Sequence, residues 1–510
     1  MWITLVARTL VCAMLALAPV AAGAETVQKA LVHHQVSTAN PAAQELFDEG
    51  LTLVYAFSRG EAQKRFREAA AADPKLAIAW WGVALAAGPN LNYGMTAENW
   101  KTVAEALKNA NALSANAMPE EQRLIAAVAT RYPAGAKEPD GKKYRDAMAA
   151  VYKDYPSDDD VATLYVESCM DVDDWGYDSK GKPIGKTAEL SDILKTVITH
   201  NYLHPGANHY FVHLHDYTSV AKDAILEADR LANFPAEPAA SHLNHMAGHT
   251  YLDVGDYAGI VETGRTAVGE DLEYAKSIGV TPGKLDYFYH NLDFYSGGAL
   301  MIGDVADAER GADLEWENNS DVALLIYARL GEWSKVLSMG APDPKMPLWR
   351  SAWPYHYARG IAFASEHNLP GAEGELAALR ESVGKGGKWP NLLVEMLSAR
   401  VDYLQGNVST ASHELRDVIA GSAQWPPEVF PAWYFPAGEW LGWILLRSRN
   451  TTDAEAAFRA ELVRTPRDAR ALFGLERTLG AEGKAADATG VGEQMTAAWQ
   501  GPAAGLQSTF

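Results

Sequence analysis

Cysteine is nearly absent from this sequence. Among 510 residues there are 2, Cys12 and Cys169. Cys12 lies in an N-terminal apolar segment that reads as a cleaved leader, so Cys169 has no internal partner. That excludes an internal disulfide and a thiolate-rich zinc or copper site, and leaves stability to packing. Positive charge is also short. The formal net charge is −21, which argues against nucleic acid or anionic lipid as a main partner. Beyond the leader no apolar run approaches the length of a transmembrane helix, so no membrane insertion is expected. Alternating β-branched stretches are scarce. No phosphate-binding glycine loop, dinucleotide fingerprint or Ser-His-Asp order is found. What the chain does have is 48% hydrophobic content and a length well beyond one ordinary core, which implies several domains or a repeat array.

The leader is MWITLVARTLVCAMLALAPVAAGA, residues 1–24. One positive residue, Arg8, precedes an apolar run ending in Ala22-Gly23-Ala24, the pattern of a signal peptide cleaved before Glu25. Cys12 lacks the flanking residues of a lipoprotein signal. The expected location is therefore periplasmic or secreted.

Helix pairs account for most of the rest. In LFDEGLTLVYAFSRGEAQKRFREAAAADP, residues 46–74, Leu46, Gly50, Leu53, Ala62, Phe66, Ala69 and Pro74 match the tetratricopeptide (TPR) pattern. Small residues fall where two antiparallel helices touch, large ones fill the gaps, and Pro74 ends the second helix. The register returns with Gly442, Leu445, Ala454, Phe458 and Pro466, then with Gly474 and Ala486. Weaker units lie at 325–337, 355–379 and 395–419. The expected fold is all-α, a TPR-like solenoid of helix pairs forming a right-handed superhelix with irregular loops in the middle. Its expected parts are TPR-like helices over 25–169, a Trp- and Gly-containing loop over 170–190, histidine-rich central units over 191–310 and C-terminal repeats over 311–510. Within the loop, Asp171, Asp173 and Gly176 look like the start of a calcium loop. Trp175 stands at a ligand position, however, and Lys182 where the bidentate glutamate belongs, which rejects calcium.

The histidines are concentrated. Nine of the 14 lie between residues 200 and 290. His209, His213 and Asp216 are spaced i, i+4, i+7, one face of a helix. His242, His245 and His249 are spaced i, i+3, i+7, again one face. His290 and Asp293 are spaced i, i+3. Each stripe precedes an inter-helix turn or a second-helix pattern: AKDAILEADRL (221–231), Gly255-Asp256-Tyr257 and Gly303-Asp304. All eight residues therefore belong to the first helices of three successive units, the third following a longer connection near 270–286. Neighbouring helices pack roughly 10 Å apart, so their long side chains can converge. Imidazole and carboxylate without thiolate suit zinc, copper(II), iron or manganese. Eight donors exceed one coordination sphere, so either two ions are bound or some of the eight orient the ligands. His204 reads as a capping or loop residue before Pro205, and His200 and His215 lie off the stripes.

These residues also carry a resemblance. HPGANHYFVHLHD (204–216), HLNHMAGHTY (242–251) and HNLDF (290–294) resemble the motifs HPGAxHYxxHxxD, HxxHMxxH and HNxxF of a family of bacterial TPR-repeat proteins, many of them exported. AIAWWGVALAAGPNLN (77–92), DDWGYDSKGKP (173–183) and PAWYFPAGEWLGWILL (431–446) are similar to other segments of that family, so the likeness spans nearly the whole chain beyond the leader. The family often has a second histidine where this chain has Asp293. Through TPR architecture the resemblance implies that first helices line a concave groove, with the histidines among the groove-lining positions. It implies no settled activity.

Three functions fit the residues. A binding module would take a protein or peptide partner, or a small ligand, in the groove with or without metal. A metalloenzyme would use an open coordination position to activate water or oxygen. Glu167 is then a candidate acid or base, and Trp80, Trp81, Trp175 and Tyr177 are candidate pocket walls, against the plainer role of core and loop residues. Metal buffering is the third, without the methionine repeats that would favour copper(I).

Overall fold

In a computed structural model the chain is described over residues 32–507, apart from 236–237, 319, 342–351, 385–387 and 423–434. The leader at 1–24 and residues 431–434 of the aromatic segment lie outside the described residues. The described chain is all-α. Sequence-adjacent helices pack against one another from Pro41–Tyr55 with Arg59–Ala72 to Ala469–Ala481 with Ala485–Ala498. The weaker units are also helix pairs: Val322–Leu330 with Trp333–Ser338, Ala352–Ser365 with Leu369–Val383, and Lys388–Leu404 with Val408–Ser422. Buried apolar side chains form one cluster running from Val32 to Leu506. No described helix is long and apolar enough to cross a membrane.

Phenylalanine against glycine sets the pair spacing. A Cβ on Gly50 would lie 2.8 Å from the Phe66 ring, and one on Gly82 would lie 2.5 Å from it. Phe66 thus wedges between two first helices that only glycine lets approach. The arrangement repeats at the same spacing near the C-terminus. A Cβ on Gly442 would lie 2.6 Å from Phe458, and one on Gly474 would lie 2.2 Å from it.

The turns of the central pairs use one device. The first helix of one pair, Ser241–Val254, ends at Gly255 with φ of 73°. Asp256 then caps Tyr257–Ile278, accepting from the Gly259 amide at 3.1 Å. The helix Phe288–Ile302 ends likewise at Gly303, and Asp304 caps Val305–Glu317. Left-handed glycine closes one helix and aspartate opens the next without a spare residue. The connection before the third unit is shorter than the sequence suggests. The helix Tyr257–Ile278 continues to Ile278, because no breaker interrupts EDLEYAKSI before Gly279.

Both ends of the array return to the middle. Pro41–Tyr55 packs on Pro205–His215. The Asn92 amide donates to the Tyr287 hydroxyl at 3.1 Å, and the Tyr274 hydroxyl donates to Glu61 at 2.8 Å. From the other end, Arg470 donates to the Leu300 carbonyl at 2.7 Å and the Gln500 amide to Ile302 at 2.7 Å. The central first helices are consequently enclosed: His209, His242, His245 and His249 are buried and His213 and His290 half-buried, where the resemblance implied positions lining a concave groove.

Candidate metal centre

Three helices deliver the imidazoles. Pro205–His215 begins with Pro205 at its first turn and with His204 as cap, whose Nδ1 accepts the Ala207 amide at 3.1 Å. It carries His209 and His213 on one face, and Asp216 follows at its end. Ser241–Val254 carries His242, His245 and His249, and Phe288–Ile302 carries His290 and Asp293.

Six of these histidines sort into two groups of three. In each group one ligating atom per residue lies within 4.8 Å of the others: His209, His213 and His242 in the first, His245, His249 and His290 in the second. The groups share one plan. A pair spaced i, i+4 on one first helix is completed by a histidine from the next first helix. Each group also has one phenylalanine against all three rings. Phe57 lies 4.6, 6.1 and 5.4 Å, centre to centre, from His209, His213 and His242. Phe294 lies 4.6, 4.7 and 5.3 Å from His245, His249 and His290.

Hydrogen bonds aim the ring nitrogens. His209 Nδ1 donates to the Tyr55 carbonyl at 2.6 Å, which fixes the neutral tautomer and leaves Nε2 as a lone-pair donor. That Nε2 is buried without a hydrogen-bond partner, as are His213 Nε2 and both nitrogens of His242. His249 Nδ1 meets the Tyr217 hydroxyl. His245 Nε2 and His249 Nε2 face each other at 2.8 Å, a spacing compatible with two ligands of one ion, each about 2.0–2.1 Å from it. Asp216 lies between the groups, with Oδ2 3.4 Å from His213 Nδ1 and 3.9 Å from His249 Nδ1. Neither of its oxygens has a hydrogen-bond partner. Asp293 is half-buried and belongs to neither group.

Burial keeps these rings unprotonated. It pushes His213 and His290 down to about 4. His209, His242, His245 and His249 are held well below the usual range, by burial first and by neighbouring imidazoles second. Burial also raises the Asp216 carboxyl well above its ordinary value. Neutral imidazoles with free lone pairs, on three helices that cannot separate without breaking the core, are the state in which histidine ligates a metal.

The other predicted site residues lie elsewhere. Trp81 is buried and stacks on Phe47 at 6.3 Å, and Trp80 lies under the Arg67 guanidinium at 5.7 Å. Trp175 donates to the Met170 carbonyl at 2.8 Å. The Tyr177 hydroxyl donates to His215 Nε2 at 3.1 Å, since His215 Nδ1 is engaged with the Phe211 carbonyl at 2.8 Å. These four are core and loop residues. Glu167 is buried among other charges, and burial followed by the Asp171 charge pushes it up to about 8 against the opposing pull of Arg131. Asp171 and Asp173 of the loop are engaged by Arg131 and Arg145.

Sequence reasoning missed Phe57, Tyr217 and Tyr287. Phe57 and Tyr217 have φ of 56° and 59°, left-handed values that non-glycine residues rarely adopt. Tyr287 stacks on His242 with ring centres 4.0 Å apart. A third group, His34, Glu120 and Asp158, was also missed. There His34 Nδ1 lies 3.2 Å from Asp160, and Nε2 lies 3.7 Å from Glu120. Burial opposes the charge, but Asp160 and its neighbours raise His34 to about 9. A ring protonated between carboxylates is a clamp, and a metal would have to displace that proton.

No family model and no curated protein matches the chain. Among solved structures it is similar to Naa15/Naa10 bound to HypK-THB, at 14% identity over 90% of this chain and 70% of that one, with a TM-score of 0.21. It is also similar to the TPR domain of P58(IPK), at 12% identity over 80% of this chain and 99% of that one, with a TM-score of 0.20. The helix-pair architecture described above rests on the packing of this chain itself.

Proposed function

We propose that the chain is an exported helical-repeat binding protein that holds a transition metal at its central histidines. One observation carries the reading: buried imidazoles converge in two three-histidine groups, and His209 Nε2, His213 Nε2, both nitrogens of His242 and His245 Nδ1 have no hydrogen-bond partner. A buried polar atom left unpaired costs about 1–3 kcal/mol, and several converging lone pairs are satisfied together by a cation. The donors suit zinc, copper, iron or manganese. The repeat faces would receive a protein or peptide partner, or a small ligand, and the leader at 1–24 would send the chain to the periplasm or outside the cell. A second reading, a metal-dependent hydrolytic or oxidative enzyme, is favoured by the number of donors. Three per group leave a coordination position open, as in catalytic zinc sites.

The test is metal content by mass spectrometry on full-length protein purified from the exported fraction without chelator or histidine tag, beside a His245→Ala/His249→Ala variant. Metal near stoichiometry in the wild type and reduced in the variant is expected. No metal in either, with folding unchanged, would leave a metal-free groove. N-terminal sequencing of the same material should begin at Glu25.

A further inference from the structure

The two histidine groups are related by the repeat itself. His209 and His213 have the i, i+4 spacing of His245 and His249, and His242 and His290 each stand 13 residues before the turn glycine that closes their helix, Gly255 and Gly303. The phenylalanine wall is duplicated too, though Phe57 comes from an inter-helix turn and Phe294 from a first helix. A single ion with helper residues would not require two complete sets of three donors, each with its own wall.

Nor are the sets independent. His242 and His245 stand one turn apart on the same helix, their rings stacked with centres 5.6 Å apart and planes 17° apart. Asp216 Oδ2 is within 3.9 Å of a ring nitrogen from each group. Behind it, Asp253 accepts the Tyr217 amide at 2.9 Å, and Tyr217 holds His249. One carboxylate thus faces both groups.

We propose that each group holds one copper ion, giving a copper pair with Asp216 between the ions. This rests on the metal reading above. Charge selects the ion. Two divalent cations repel four times as strongly as two monovalent ones at equal separation, and this site offers one facing carboxylate in surroundings of imidazole and aromatic rings. Monovalent copper carries the smaller charge and accepts three imidazole donors with no further ligand. Zinc would complete three imidazoles with a water at each group, but would set two doubly charged ions beside one carboxylate.

The test is anaerobic equilibrium dialysis of the full chain against copper(I) in a buffering chelator, with zinc as competitor, and metal counted by mass spectrometry. Wild type should bind two copper ions per chain. His213→Asn and His290→Asn should each bind one, with unchanged circular dichroism melts, and Asp216→Asn should weaken retention of the second ion about tenfold. His213→Gln and His290→Gln repeat the count in a second geometry, and only variants that melt like the wild type are scored. One ion in the wild type, lost in both variants, would overturn the pair while the metal reading stands. Two zinc ions displacing copper would overturn the choice of metal. A third copper ion lost with His34→Gln would overturn the assignment by placing an ion on the protonated clamp. No metal at all would end both readings.

Discussion

At the residue scale, the chemistry depends on rings that burial keeps neutral. His213 and His290 take up protons only near pH 4 in the fold, whereas an unfolded imidazole does so near 6.5. Below 6.5 the unfolded chain therefore binds protons that the folded chain does not. The metal-free protein is fully stable on this account above pH 6.5 and loses stability as pH falls toward 4. Each ring contributes up to about 3 kcal/mol. Urea midpoints of metal-free wild type and of His213→Asn at pH 7, 5.5 and 4.5 check this, with a shallower loss expected for the variant. The walls behave differently. Phe57→Ala removes a buried ring from three histidines and should cost about 3 kcal/mol at any pH in that range. Urea unfolding at pH 7 measures it, and a loss below about 1 kcal/mol would mean that the site collapses onto the gap.

At the element scale, glycine and phenylalanine set how closely helices approach. Alanine normally improves on glycine in a helix by about 1 kcal/mol. At Gly82 the added carbon would meet the Phe66 ring at 2.5 Å, so Gly82→Ala should instead destabilise by about 1–3 kcal/mol. A second change, Phe66→Leu, should recover part of the loss in a double-mutant cycle followed by thermal melting, because the two act on one contact. The N-terminal segment Val32–Asn40 is held by a different device. Asp160 accepts from His34 at 3.2 Å, from His204 at 3.2 Å and from the Tyr55 hydroxyl at 2.8 Å. Burial would raise this carboxyl, but the two histidines hold it well below the usual range. His34, raised to about 9, contributes stability that is complete below pH 6.5 and fades as pH climbs to 9. His34→Gln should flatten the fall in melting temperature between pH 7 and 9. A fall as steep as the wild type would assign that pH dependence to another group.

At the scale of the whole molecule, an open array would unfold by local fraying, since each repeat touches only its neighbours. Here distant repeats touch. Arg470 is buried, donates to the Leu300 carbonyl, and lies with its guanidinium 4.6 Å from the Trp499 ring centre. The helix that ends at Ile302 carries His290, so the C-terminal pair steadies one wall of the site. Arg470→Ala should raise hydrogen exchange in Phe288–Ile302 as well as in Ala469–Ala481. Increased exchange in the second helix alone would mean that the C-terminal pair docks without supporting the centre.

Helix pairs, their turns and the histidine stripes were legible in the sequence because each is a local pattern. Phe66 and Phe458 sit at fixed spacing from their glycines, Gly255-Asp256 and Gly303-Asp304 announce their turns, and i, i+4 spacing puts two imidazoles on one helix face. The division of the eight donors was not legible. It depends on which helix faces which, and this left Asp293 outside both groups and Asp216 between them. Trp80, Trp81, Trp175 and Tyr177 looked like pocket walls because composition alone does not distinguish a core aromatic from a site aromatic. Of the rings that cover the histidines, Phe294 lies within a histidine stripe, whereas Phe57 and Tyr287 are separated in sequence from the rings they cover. The sequence by itself determined a helical-repeat chain with three histidine-bearing first helices. Only the tertiary structure decided that both ends fold over those helices, because closure is made by contacts between residues far apart in sequence, Tyr274 with Glu61 at 213 positions and Arg470 with Leu300 at 170. That closure buries the imidazoles and so lowers their proton affinity.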